Sequence, residues 1–215
     1  KDRALLLTAL GHRSVLNERT DLPGGSNARL EFLGDSLLDH IVVEELWRHE
    51  IHLPHQSMSE IRTAVVNADF LAFLCMRIYK TEKRTEPAAP GEAHNGTVEV
   101  EHKTYLHQYL RHSASREITL AQQEALRRHH MYQDAIEHAL THDGRYPWEL
   151  LLRLEAGKFF SDLMEALLGA IFIDSRGDFD TCRQFLRRIG LLKFLERVIR
   201  DRVEIRHPHS RLHEA

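Results

Sequence analysis

Apolar residues recur along the chain at three- and four-residue spacings, and strict alternation is nearly absent, which predicts an all-α fold. Leu5, Leu6, Ala9 and Leu10 form a first stripe that ends near Gly11. The Asp21-Leu-Pro-Gly-Gly-Ser-Asn27 segment is a turn cluster, with Ser26 or Asn27 placed to cap the next helix. That helix is predicted from about Ala28 to about His49, turning Leu30, Leu33, Leu37, Leu38, Ile41 and Val42 toward a core. Another is predicted from Ser57 to about Tyr79. Thr81–Gly96 is polar and broken by Pro and Gly, so it reads as a mobile loop. Two polar helices are predicted beyond it, over Val98–Arg111 and Glu117–Thr141. Tyr146-Pro-Trp148 opens a further helix, Lys158–Asp174 is the most apolar of all, and two more end near Gly190 and Arg202. The pattern places one domain over residues 1–202, with a long insertion at about 81–145 and a tail or linker at 203–215.

Composition narrows the class without changing that picture. Over 215 residues, 42% are hydrophobic and 28% charged, which fits a folded globular domain and excludes disordered and collagen-like chains. The apolar run Leu167–Ile173 is far shorter than the roughly 20 residues that cross a bilayer, so no membrane partner is expected. Cys75 and Cys182 are the only cysteines, too few for a disulfide framework or a thiolate zinc site. With no apolar leader after Lys1, an intracellular, reducing location is expected. A first residue other than Met suggests a piece of a longer chain.

Charge is uneven. Glu31–Glu60 holds seven acidic residues against Arg48, a balance of −6, while Arg183–Arg206 holds eight Arg/Lys against three acids, a balance of +5. Such asymmetry suits a region that gathers metal ions and another that meets a polyanion; two oppositely charged solvated faces would give the same count.

Two acid pairs carry the chemistry. Glu31 and Asp35, four apart, share one face of an otherwise apolar helix. Asp162 and Glu165, three apart, sit among Phe159, Phe160, Leu163, Met164 and Leu167. Like charges in apolar surroundings resist ionisation unless a cation neutralises them. Four carboxylates from two helices form a hard-oxygen set suited to Mg²⁺ or Mn²⁺. Gly34 and Gly169 strengthen the reading, because glycine inside a helix costs about 1 kcal/mol against alanine and so suggests close backbone approach.

At these residues the chain resembles the ribonuclease III family. Ala28-Arg-Leu-Glu-Phe-Leu-Gly-Asp-Ser-Leu-Leu38 is similar to its signature helix. Lys158-Phe-Phe-Ser-Asp-Leu-Met-Glu-Ala-Leu-Leu-Gly-Ala-Ile171, leading into Asp174, resembles its second motif, and Ser59-Glu-Ile-Arg-Thr-Ala-Val-Val-Asn67 the helix between them. Within the family, Asp39 and the lysine four residues before Asp162 resemble the second ribonuclease III domain of Dicer proteins. The Tyr146-Pro-Trp148 approach, the insertion and the HPHSRLHEA tail resemble fungal Dicer-like proteins of the second type.

The resemblance implies a ribonuclease III helical fold and a Mg²⁺-dependent endonuclease that cuts double-stranded RNA, leaving 5′-phosphates, 3′-hydroxyls and short 3′ overhangs. It further implies a role in RNA silencing and antiviral defence. Glu31, Asp35, Asp162 and Glu165 align with the family's metal-binding catalytic carboxylates. Lys158 either touches the scissile phosphate or offsets Asp162 at i+4. Phe32 aligns with an aromatic that inserts into a partner domain, and an ordinary core phenylalanine would read the same way. The implied partner is the first ribonuclease III domain of the same parent chain or, for an isolated fragment, a second copy. Ala28 departs from the family's usual glutamate, which puts details of that pairing in question. The competing class is a module that pairs and holds duplex RNA without cutting it; intact acids at all four positions argue against it. Other matches are accidents of composition: His49-x-x-His52-x-x-His55, His142-Asp143 and Glu99-x-x-His102 each lack the companions their chemistry requires.

Overall fold

A 21-residue helix, α2 (Ala28–Arg48), crosses α7 (Phe159–Asp174) at the centre of the molecule. The computed structural model describes residues 2–17, 25–87, 97–113 and 116–207. At the crossing a Cβ on Gly34 would overlap the backbone carbonyl of Glu165, and one on Gly169 would overlap that of Leu30. The two helical glycines therefore mark close backbone approach, as their placement predicts. Leu37, Leu38, Ile41 and Val42 of α2 are buried with Phe160, Leu163, Ala166 and Leu168 of α7.

Other helices pack around this pair. Helix α4 (Ala68–Arg77) lies against α7 and is apolar over every residue from Phe70 to Met76, all of them buried. Helix α1 (Arg3–Ala9) also rests on α7. Helix α3 (His55–Val65) touches α2 and α9 (Leu191–Arg200), and α8 (Phe179–Arg188) lies between α7 and α9.

The single helix expected over Ser57–Tyr79 is two, α3 and α4, broken at Val66 and Asn67. Asn67 caps α4 by accepting from the Phe70 amide at 2.9 Å, while its amide nitrogen donates to the Ala64 carbonyl and the Tyr146 hydroxyl. Tyr146 donates in turn to Ala64 O at 2.7 Å. A side chain that bonds its own neighbouring backbone competes with the helix, and apolar periodicity carries no trace of that competition.

The insertion departs further from expectation. Val98–Arg111 is not a helix: β1 (Tyr79–Pro87) and β2 (Thr97–Tyr105) pair antiparallel from Tyr79↔Tyr105 to Pro87↔Thr97, followed by a 3₁₀ turn at Leu106–Tyr109. Thr97-Val-Glu-Val-Glu101 alternates in steps of two and the stretch to Tyr105 is rich in β-branched and aromatic residues, a strand signal masked by its overall polarity. The first seven residues of the expected loop belong to β1, and 88–96 lie outside the described residues. Helix α5 (Arg116–His142) follows, then α6 (Trp148–Leu152). Leu110, Ala125, Ile136 and Leu140 join the common core. The Arg111 amide donates to Leu10 O and the His12 amide to Arg111 O, both at 2.8 Å, which binds the end of this segment to the loop after α1. Asn27 stands at the N-cap of α2 without a side-chain bond, and residues 21–24 and 208–215 of the expected turn cluster and tail lie outside the described residues. Among the described residues no helix is long and apolar enough to cross a membrane.

Two predictions follow from this packing. Gly34→Ala forces a methyl group into the Glu165 backbone, so stability in a denaturant titration should fall by about 3 kcal/mol, the upper part of the range for overpacked cores. The buried rings of His107 and His129 each leave Nδ1 without a partner, and burial pulls both pKa values down to about 4 from the usual 6.5. The unfolded chain then takes up protons between pH 6.5 and 4 that the folded chain refuses, so stability is full above that window and declines as pH falls through it. Each histidine should contribute a slope of up to about 1.4 kcal/mol per pH unit. Denaturation curves across the window should show a shallower slope for His129→Leu.

Candidate metal centre

The glycine-fixed crossing places the acids. Glu31 lies one turn into α2, and Asp162 and Glu165 lie in the first two turns of α7, so close backbone contact presses the two acid-bearing faces together. Carboxylate oxygens of Glu31, Asp162 and Glu165 all fall within 4.8 Å of one another. Asp162 is buried, Glu31 and Glu165 half-buried. Asp35, a turn further along α2, is exposed and stands outside that group of three, although its charge still bears on Glu165.

Electrostatics make the cluster unstable as a set of free anions. Burial first, then repulsion from Asp35 and Asp162, pushes the Glu165 carboxyl up to about 7. Burial likewise raises Asp162, against the opposing hydrogen bond from Lys158. The Lys158 ammonium donates to Asp162 and, at 3.1 Å, to Glu31 Oε1, so it bridges an acid from each helix. Those partners hold its pKa above the ordinary lysine value, the bond to Asp162 contributing most. A fixed cation therefore covers two of the three acids, and the third gives up its proton only near neutral pH. A half-buried, oxygen-only donor set of this charge fits a hard divalent cation.

Two groups at the rim escape sequence reasoning. His12 and Arg13 follow α1, and their charges act on Asp162 while His12 also feels Glu31. His12 Nδ1 lies 2.8 Å from the Ser14 hydroxyl, its ring meets Phe159 edge-on at 6.3 Å, and burial followed by Arg13 lowers its pKa. Neither residue belongs to a periodic face or a motif, so nothing in the sequence connects them to acids 150 positions away. Phe32 is 78% exposed, so among its two readings the core one does not hold.

The acidic and basic regions of the sequence partly cancel in space. Arg183 pairs with Glu44 and with Glu45 at 3.3 Å, Arg62 with Asp39 at 2.9 Å, and Arg206 with Glu60 at 3.8 Å. The second half of α2 is thus neutralised by Arg62 of α3 and Arg183 of α8, while in its first half Glu31 bonds Lys158.

The ribonuclease III domain family matches residues 28–176, and the chain belongs to that family. It is similar to Dicer-like protein 2 of Coccidioides immitis, 44% identical over 99% of the chain, and of Aspergillus terreus, 42% identical over 96%. It spans only 14% and 15% of those two proteins. In fold it resembles the nuclease domain of ribonuclease III from Campylobacter jejuni, a structure described for flexibility in a region involved in dimer formation. That likeness has a TM-score of 0.51 at 22% identity and covers 88% of this chain and 86% of the other.

The geometry makes Lys158 a competitor for the acids it bridges. In calorimetric titration with Mn²⁺, Lys158→Met should bind the ion several-fold more tightly than the parent chain. Glu165→Gln should bind it at least about ten-fold more weakly, the loss of one charged ligand bond.

Proposed function

We propose that this chain is a divalent-cation-dependent endoribonuclease domain acting on double-stranded RNA, with residues 1–202 as its catalytic domain. The observation that carries the proposal is the convergence of Glu31, Asp162 and Glu165 at the Gly34–Gly169 crossing, in a chain of the ribonuclease III family. Glu31, Asp162 and Glu165 would hold Mg²⁺, or Mn²⁺ in its place, with Asp35 completing the set at the open edge. A divalent cation in such a site supplies a Lewis acid for a phosphodiester and a water that ionises near neutral pH.

The protein's own groups do the rest. Lys158, 66% exposed at its side chain, reaches the mouth of the site with a positive charge that can meet a phosphate once its carboxylate partners are otherwise engaged. His12 and Arg13 add positive or polar edges on the same rim. Duplex RNA is approached through phosphates and 2′-hydroxyls, which suits a rim that presents charge rather than base-reading side chains.

Likeness to Dicer-like protein 2 supports the finer reading: the second ribonuclease III domain of a fungal Dicer-like protein, working inside the cell in RNA silencing and antiviral defence. Its partner is then the first ribonuclease III domain of the same parent chain, or a second copy for the isolated domain. Phe32, next to Glu31 and projecting from α2, is the contact residue, because a ring so exposed gains most from burial against a partner. Paired domains each cutting one strand leave 5′-phosphates and short 3′ overhangs.

Incubation of the dimeric chain with long duplex RNA and Mg²⁺ tests this. The parent should cleave, and Glu165→Gln and Asp35→Asn should each lose about 10²-fold or more in rate. Equal cleavage by parent and variants would discard the site, and a dimeric parent that binds RNA but never cuts it would leave only a pairing module.

A further inference from the structure

Away from the acids, where the insertion meets the helical body, lies a cavity of about 740 Å³. It shares no residue with the acidic cluster. One wall is apolar, built from Met76 and Ile78 at the end of α4 and from Phe185 and Ile189 at the end of α8. The opposite wall is the root of the hairpin, where Tyr79 and Tyr105 stand across from each other with ring centroids 5.6 Å apart. The Lys103 ammonium lies over the Tyr79 ring at 4.6 Å, and Tyr79 itself is half exposed.

The charge at this cavity is unbalanced. Arg77 is matched by Glu137 at 2.8 Å, and Glu137 is the only carboxylate among the lining residues. Lys103 and Arg188 form no ion pair among the described residues and are exposed at the edge. Beneath them His129 lines the cavity, 3% exposed, its Nδ1 without a hydrogen-bond partner. An apolar slot with aromatic faces favours a flat ring, since bases stack on aromatic side chains at little cost in specificity. Two uncompensated cations at its rim favour phosphate, the guanidinium through paired bonds and the ammonium as a point charge. The volume is that of a typical small-ligand site, between about 300 and 1,000 Å³.

We propose that this cavity binds a nucleoside phosphate, its base against Tyr79, Tyr105 and the apolar wall and its phosphate held by Lys103 and Arg188. Such a group arrives either as a free mononucleotide or as the end of a single-stranded RNA segment. Because the hairpin supplies Tyr79, Lys103 and Tyr105 while α8 supplies Arg188, occupancy joins the hairpin to the helical body.

Titrating the full chain with adenosine 5′-monophosphate, and separately with a 5′-phosphorylated single-stranded RNA hexamer, tests the site without any reading of cleavage. Saturable binding should shift the side-chain NMR signals of His129, and Lys103→Ala and Arg188→Glu, both surface changes, should each weaken it at least ten-fold. Glu165→Gln should leave it unchanged. If the mononucleotide binds, the free ligand suffices; if the hexamer alone binds with the same variant pattern, the source is an RNA end. Absence of binding by both probes at millimolar concentration, binding indifferent to Lys103 and Arg188, or binding lost with Glu165→Gln would each overturn the proposal. A failure here leaves the cleavage assay untouched, and a failure of cleavage leaves this titration intact.

Discussion

The contact between α2 and α7 through Gly34 and Gly169 is the constraint on which the rest depends. Backbone carbonyls of Glu165 and Leu30 occupy the space where side chains at Gly34 and Gly169 would stand, so the two helices meet backbone to backbone. Everything hydrophobic around them, from Phe70 and Phe73 of α4 to Leu38 and Ile41 of α2, serves to hold that approach. The approach in turn forces acids from two helices into one small volume. A packed core thus stores an electrostatic imbalance, and Lys158 together with the raised Glu165 carboxyl offsets it.

Legibility of the sequence divided along the same lines. Helices that bury one face declare themselves through spacing, and α2, α7, α8 and α9 stand close to where periodicity puts them. The acids were legible because charge inside an apolar stretch is costly and so calls for a reason. Gly34 and Gly169 were legible for a similar cause. What spacing cannot register is a break imposed by a polar side chain, as at Asn67, or a strand whose polarity hides its alternation, as in β2. Distance in sequence hid His12 and Arg13, which reach Asp162 only after folding, and the separation of Asp35 from the other three carboxylates is a matter of side-chain direction that a four-residue interval does not specify.

Net charge by segment proved a poor guide to surface. The acidic run and the basic run look like two binding faces in one dimension, yet Arg183 and Arg206 fold back onto Glu44, Glu45 and Glu60. Much of the apparent positive character toward the C-terminus is therefore internal mortar between helices. Among the described residues, Lys103 and Arg188 beside the hairpin root belong to the cations that no carboxylate matches.

The short bridge between Gly11 and Arg111 has an implication for how such a chain tolerates change. A detour of some length leaves the helical body after α4 and is riveted down again through Leu10, His12 and Arg111, next to the loop whose Arg13 bears on Asp162. A shift of one residue at that return point would drag the loop bearing His12 and Arg13 past the Asp162 carboxylate. Two backbone hydrogen bonds at a distant landing point thus set where a cation stands relative to a buried carboxylate.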